Sequence, residues 1–215
     1  MITKKLEAKE REMTYYVGIN QLKINPQLLT LTQFFEIIEE KETNDLVIQI
    51  FNNKYVLNSE HVFNACYFLQ KAFLTNINIS KKKSIELLLY LATNRQIKMA
   101  IQDFGIYEDQ FNTGLINFCI ISSKDNLDLI SHEIEKILSA SKLKLTLDNY
   151  SLKKYEMVKK YFNFSDNQII SILNSYGTKV NAKIRDNDLP VLYLALNDLI
   201  CERMTLLSLE RATLD

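Results

Sequence analysis

Two hydrophobic patterns alternate along this chain, and their order restricts the fold more than any other feature of the sequence. Runs of apolar, β-branched and aromatic residues predict strands at 14–24, 46–51 and 114–121. Between and after these runs, apolar residues recur at intervals of three and four positions, as they do on one face of a helix. This alternation predicts a sheet covered by helices.

The predicted helices follow from this spacing and from residues that favour helix ends. Three of them come in close succession, at 58–76, 80–92 and 95–104, and Gly105 can end the last one in the left-handed conformation. The other predicted helices cover 27–42, 125–138, 152–162, 165–174 and 189–207. The last third of the chain is therefore expected to be helical.

The chain length favours a single domain. The 215 residues are enough for one ordinary core and few for two. We predict one domain over residues 14–210, of the α/β (α+β) class, with a small mixed or antiparallel sheet under several helices. Leucines alternate with polar residues over 142–147, which indicates an edge strand. Residues 1–13 carry mixed charge and are expected to form a frayed lead-in.

The composition is that of a folded protein without a membrane span. Hydrophobic residues make up 47% and charged residues 24% of the chain. The longest apolar runs are much shorter than the roughly 20 residues that cross a bilayer, and residues 1–13 lack the apolar centre of a secretory signal. The three cysteines lie in apolar runs, as buried thiols of a reducing compartment do. We expect a cytoplasmic protein, also nuclear if the source is eukaryotic.

The motifs of common enzymes are missing from the sequence. The four glycines lack the spacing of a dinucleotide fingerprint or a phosphate-binding loop. His61 and His132 have no companions at metal-binding spacing. We therefore predict no catalytic residue, no metal and no cofactor. A small enzyme is a third class of function, and it would need a deep pocket with convergent titratable groups.

Several blocks of residues carry a resemblance to a known family. They are NSEHV at 58–62, KAF at 71–73, IELLLY at 85–90, NRQI at 94–97 and the closing segment DLICERMTLL at 198–207. With these blocks the chain resembles, from about residue 14 to residue 210, the tRNA-binding subunit family of the KEOPS (EKC) complex. This is the TPRKB family of PRPK-binding proteins.

The resemblance implies a subunit without catalysis of its own. Members of this family bind a small kinase-like ATPase of the PRPK type at the end of a linear assembly, which makes threonylcarbamoyladenosine in tRNA. Archaeal members also hold the single-stranded CCA end of tRNA. The implied partners are therefore the ATPase and the tRNA acceptor CCA end. The alternative is a pure protein-interaction subunit that stabilises or regulates the ATPase without contacting RNA.

Any RNA site must be local, because 26 basic residues balance 26 acidic ones. The candidate RNA-binding residues are Lys81, Lys82, Lys83, Asn94, Arg95 and Lys98. The lysine run opens a predicted helix, where unpaired amides favour an anion, and Arg95 can pair with a phosphate or stack on a base. Ile97 is expected to pack inward. Alternatively, the lysines are only solvated, and Arg95 caps a helix or pairs with Glu86.

The closing helix is a candidate for the ATPase interface. It contains more apolar positions than one core-facing stripe requires. We predict that Leu199, Met204 or Leu207 contributes to this interface, with core packing as the alternative. Burial of all three would show that the prediction is wrong.

Overall fold

Strands and helices alternate along the described part of the chain, which in a computed structural model comprises residues 1–8, 13–178 and 186–212. The strands in this part are β1 (Ile2–Ala8), β2 (Met13–Lys23), β3 (Leu46–Phe51), β4 (Leu115–Ser122) and β5 (Ser141–Leu143). The helices are α1 (Leu31–Lys41), α2 (Ser59–Leu74), α3 (Lys83–Ala92), α4 (Ile97–Phe104), α5 (Glu108–Phe111), α6 (Leu127–Ile137), α7 (Leu152–Tyr161), α8 (Asp166–Ser175) and α9 (Leu189–Ala212). A short 3-10 helix, Asp186–Asp188, precedes α9.

The strands form one antiparallel sheet in the order β1-β2-β4-β3, and β5 also pairs with β2. Ile19 of β2 lies opposite Cys119 of β4, which in turn lies opposite Gln49 of β3. Strands β2, β3 and β4 have buried apolar residues in both orientations because helices cover both faces of the sheet. The predicted α/β class, with an antiparallel sheet under helices and a helical last third, is confirmed.

Helices on the two faces of the sheet form two cores. The large core joins one sheet face to α2, α3, α4, α7, α8 and α9, and its sheet residues include Val17, Ile19, Val47, Cys119 and Ile121. The small core joins the opposite face to α1, α5 and α6, and its sheet residues include Leu22, Ile48, Ile50, Phe118 and Ile120. The sheet is therefore shared by both cores.

The N-terminal segment differs from the expectation of a frayed lead-in. Residues 2–8 form β1 and pair along their whole length with β2. Ile2 and Leu6 pack against the large core, and the Lys4 Nζ lies 2.6 Å from a carboxylate oxygen of Glu60. The prediction is therefore wrong for residues 2–8, because pairing with β2 gives this polar segment an order that its own composition does not indicate. The rest of the predicted lead-in, at 9–12, lies outside the described residues.

Two other local predictions require correction. Gly105 has an extended backbone with φ of −73° and not the predicted left-handed conformation. A Cβ atom at Gly105 would lie 2.4 Å from the Ile101 carbonyl oxygen, so a close backbone approach explains the glycine. The edge strand predicted at 142–147 is limited to the three residues of β5, because Leu147 turns into the large core.

Candidate functional site

The predicted lysine run lies at the N-terminal end of α3, where its members differ in surroundings. Lys81 is exposed. Lys82, also exposed, places its Nζ 2.9 Å from the Glu39 carboxylate. Lys83 donates a hydrogen bond of 2.7 Å to the Asn44 carbonyl oxygen, and its partial burial lowers the pKa of its ammonium. The run lines a groove of about 380 Å³ that also contains carboxylates. Lys82 and Lys83 therefore have partners within the chain.

A buried carboxylate explains why α3 begins three residues later than predicted. Glu86 is fully buried and accepts backbone N–H bonds from Ile79, at 3.0 Å, and Ser80, at 2.6 Å. These bonds hold the segment before α3 in a turn, and Lys82 becomes the N-cap residue. Lys81 and Lys82 therefore precede the helix instead of forming its first turn.

The predicted residues Asn94 and Arg95 lie where α3 ends and α4 begins. Thr93 ends α3 in the left-handed conformation, with φ of 46°. The Asn94 side-chain oxygen then accepts a 2.9 Å hydrogen bond from the Gln96 amide. Gln96 provides no side-chain cap for α4, and the first turn of that helix contains no acidic residue. The positive end of the α4 dipole is therefore presented beside Arg95 and Lys98.

A surface groove joins this junction to the closing helix. It has a volume of about 330 Å³ and is lined by Thr93, Asn94, Arg95, Gln96, Arg203, Leu206 and Leu207. Of the lining residues whose side chains the structure describes, two are arginines and none is an Asp or Glu. We call this surface the arginine groove. Its chemistry suits an anion that also has polar and apolar parts.

Arg203, like Thr93, Gln96 and Leu206, lines the groove but was not among the residues predicted from the sequence. Its guanidinium lies 4.4 Å from the centre of the Phe164 ring, and the negative face of the ring attracts this cation in a cation–π interaction. Partial burial lowers the pKa of Arg203 from its ordinary high value. The residue lies within the closing segment of the resemblance, but no local pattern indicates that it approaches Arg95.

The structure divides the predicted RNA-binding set into two groups. Asn94 and Arg95 line the arginine groove, and the exposed Lys98 lies next to them in the first turn of α4. The lysines of 81–83 lie at the opposite end of α3, a ten-residue helix about 15 Å long. Ile97 is 41% exposed, contrary to the prediction, because Ala100 and Phe104 form the buried face of α4.

The predicted ATPase-contact residues are part of the large core. Leu199 is 3% exposed, Met204 0% and Leu207 6%. They are buried because α9 packs against α2, α7 and α8. A hydrogen bond of 3.0 Å between the Tyr90 and Ser208 hydroxyl groups also joins α9 to α3. The prediction that they form the partner interface is therefore wrong for the folded chain. Leu194 and Leu206, each 50% exposed, lie instead on the outer side of α9.

The titratable groups of the interior have structural roles. The His61 Nδ1 accepts a hydrogen bond of 3.2 Å from the Leu57 backbone N–H. The Nε2–H of the same ring donates a hydrogen bond of 3.1 Å to the Leu91 carbonyl oxygen. Complete burial lowers the pKa of His61 to about 4. The Cys66 and Cys119 sulfurs lie 3.5 Å apart in the large core, where burial raises the pKa of Cys66.

The described residues contain neither a metal-binding cluster nor a helix that could span a membrane. In residues 1–8, 13–178 and 186–212, no group of three or more His, Cys, Asp or Glu side chains is arranged to hold a metal ion. Within the same ranges, no helix combines the length and apolar character needed to cross a bilayer.

The fold and the groove together define a class of protein. An antiparallel sheet between two helical layers, with a groove where α3, α4 and α9 meet, is an α/β protein whose surface groove contains two arginines. The family model of the kinase binding protein CGI-121 matches residues 20–208. This chain therefore belongs to the CGI-121 family, as the resemblance to the TPRKB family indicated. It is a kinase-binding family and not a known catalytic one. A comparison with curated proteins found no match.

Proposed function

We propose that this chain is a non-catalytic subunit of the KEOPS complex that binds the kinase-like ATPase and recruits tRNA through its CCA end. In this role it supports threonylcarbamoyladenosine formation without carrying out the chemistry. The observation that carries the ATPase part is the match to a kinase-binding family over residues 20–208. The partner contacts surface residues outside the buried set Leu199, Met204 and Leu207.

The arginine groove supports the RNA part of the proposal. Arg95 presents a planar fork of donors that fits a phosphate or stacks on a base. Asn94 and Gln96 place amide groups in the same groove, where they can read the edge of an unpaired base. The uncapped start of α4 adds a favourable dipole for the phosphate. This combination of groups suits an unpaired RNA end.

The lysine run has a secondary role in this proposal. Lys81 and Lys82 are exposed, about 15 Å from the groove along α3. Lys81 attracts the acceptor arm by long-range electrostatics, which salt screens, and Lys82 contributes less because its ammonium is paired with the Glu39 carboxylate. Lys83 contributes less, because its ammonium group is partly buried against the Asn44 carbonyl.

Co-purification tests the ATPase part. The chain is expressed with the small kinase-like ATPase of its own source, and only the ATPase carries an affinity tag. We expect the untagged chain to elute with the ATPase in a stoichiometric complex. Separate elution of two folded proteins would contradict the proposal.

Binding of tRNA tests the RNA part and separates the two candidate functions. We expect full-length tRNA to bind more tightly than tRNA without its CCA end in a gel shift. Arg95→Ala should weaken full-length tRNA binding by on the order of 1 to 3 kcal/mol, and should barely affect tRNA that lacks the CCA end. If Arg95 and Lys98 each neutralise one phosphate, the logarithm of affinity falls with the logarithm of salt at a slope of about 1.4.

Lys136→Ala is the matched control for charge removal, because Lys136 is exposed on α6 at the opposite face of the sheet. Equal losses on both RNAs after Arg95→Ala would show a general electrostatic contact. If neither RNA binds the wild-type chain while the ATPase does, the pure interaction subunit is the correct alternative.

A further inference from the structure

A lysine amine lies half-buried where the segment before α7 meets the start of α2. Lys154 is in the first turn of α7, and its backbone N–H bonds to the side chain of Ser151, the N-cap residue. Its Nζ donates a hydrogen bond of 3.0 Å to the Leu147 carbonyl oxygen. Leu147 is 1% exposed and belongs to the large core, so the amine lies against the core and is only partly in contact with solvent.

The Asp148 carboxylate interacts with this amine electrostatically, but its hydrogen bonds hold the start of α2. Its two oxygens accept hydrogen bonds from the Ser59 backbone N–H, at 2.8 Å, and from the Ser59 hydroxyl, at 3.0 Å. The carboxylate therefore also compensates the positive end of the α2 dipole. The Lys154 ammonium has a neutral carbonyl as its hydrogen-bond partner.

The surroundings of Lys154 disfavour its positive charge. The first turn of α7 contains no acidic residue, and the positive end of that helix dipole repels a cation. From α2, the buried His61 ring faces the same charge and is neutral at pH 7.

These surroundings leave part of the amine unprotonated near neutral pH. Burial lowers the pKa of Lys154 to about 8, and the Asp148 charge opposes this shift. At pH 7 about a tenth of such amines are neutral, against about 0.04% of ordinary lysines with a pKa of about 10.4. The neutral amine is the form of lysine that acts as a nucleophile, and desolvation is a known way to activate it.

We infer that Lys154 is a site of covalent acylation, at which a small acyl phosphate transfers its acyl group to the Nζ. The lone pair of the neutral amine forms a bond with the acyl carbon. The bond between that carbon and the phosphate oxygen breaks, and phosphate leaves with the electron pair. The proton released from the nitrogen passes to water. The donor is small because the half-buried amine leaves little room for a larger one.

The test treats the folded wild-type chain with acetyl phosphate at pH 7 and follows the acetylation of each lysine by quantitative mass spectrometry of its peptides. Lys153 is the matched control, because it is exposed and precedes Lys154 in the same helical turn. We expect Lys154 to react about tenfold faster than Lys153. The neutral fraction at a pKa of about 8 exceeds that of an ordinary lysine by about 200-fold, and lower basicity offsets part of this gain.

Two further measurements show whether the fold activates the amine. The rate at Lys154 should rise with pH and level off above about pH 8, where its amine is already neutral. In guanidinium chloride the rates at Lys154 and Lys153 should become equal, because unfolding removes the burial. Lys154→Arg should remove the fast-reacting site and leave the rate at Lys153 unchanged.

Two results would overturn the inference. If Lys154 in the folded chain reacts no faster than Lys153, its half-buried position protects the amine instead of activating it. If the faster rate at Lys154 persists in the unfolded chain, it comes from the neighbouring residues in the sequence and not from the site between α7 and α2.

Discussion

Single buried residues fix the backbone around the candidate site. Glu86 holds the segment before α3 through the amides of Ile79 and Ser80. His61 joins the start of α2 to the end of α3, because its two ring nitrogens bind the backbone of Leu57 and Leu91. The end of α3, from which the chain enters the arginine groove, is therefore anchored by a neutral imidazole.

The burial of His61 predicts a loss of stability in acid. Its pKa is about 4 in the folded chain and 6.5 without burial. As pH falls below 6.5, the unfolded chain takes up a proton that the folded chain does not accept until about pH 4. The stabilising contribution of His61 is therefore complete above about pH 6.5 and falls by about 1.4 kcal/mol per unit as pH decreases toward 4.

Denaturant unfolding at pH 7 and pH 4.5 measures this effect. The wild-type chain should lose about 2 kcal/mol more free energy of unfolding between these conditions than His61→Gln does. His132→Gln, on the exposed side of α6, is the control for replacing a histidine. Identical pH profiles of the wild type and His61→Gln would show that His61 is protonated in the folded chain as easily as in the unfolded one.

At the scale of elements, β1 and α9 show how neighbours decide order and burial. The charged strand β1 is ordered because β2 supplies hydrogen-bond partners along its whole length. The apolar helix α9 buries Leu199, Met204 and Leu207 and exposes Leu194 and Leu206 because other helices cover only part of its surface. Neither result follows from the amino-acid pattern of the element alone.

Removal of residues 1–8 tests the role of β1. The truncated chain loses the pairing with β2 and the packing of Ile2 and Leu6 on the large core. We expect its free energy of unfolding to fall by about 1–3 kcal/mol, which corresponds to two partly buried aliphatic side chains. Thermal unfolding followed by circular dichroism measures the change. An unchanged midpoint would mean that this segment is frayed in solution.

At the scale of the whole molecule, one sheet belongs to two cores. The same strands β2, β3 and β4 contribute alternate side chains to the large core and the small core. Damage to either core should therefore destabilise the sheet on which the other depends. We propose on this ground that the chain unfolds as a single cooperative domain.

Phe34→Ala tests this cooperativity, because Phe34 is fully buried in the small core. The substitution should cost about 3–5 kcal/mol. Tyr90, Tyr155 and Tyr193 all lie in the large core, so tyrosine fluorescence reports mainly on the opposite side of the sheet. We expect the fluorescence and circular dichroism transitions to shift together. Leu28→Ala, at an exposed site, is the control, and an unshifted fluorescence transition would show two independently unfolding units.

Features that depend on neighbouring residues in the chain could be predicted from the amino-acid sequence. The strand at 46–51 was predicted with the bounds of β3, and β2 and β4 lie within one residue of their predicted limits. The helices predicted at 58–76 and 165–174 begin at residues that favour a helix start, and Asn58 and Ser165 are the N-caps whose side chains accept a backbone N–H bond. The predicted helices also placed Asn94 and Arg95 between the end of one helix and the start of the next, where the structure has them, because helix ends are local signals.

The side of each helix or strand that is buried depends on how the elements pack in three dimensions. A helix that is apolar on most sides has no unique buried stripe, so the sequence could not show that Leu199, Met204 and Leu207 are buried while Leu206 is exposed. The proximity of Arg203 to Arg95 arises in the same way, because the packing of α9 against the large core brings together residues that are distant in the chain. Long-range contacts of this kind depend on the packing of the whole core, so the spacing of residues within one element does not predict them.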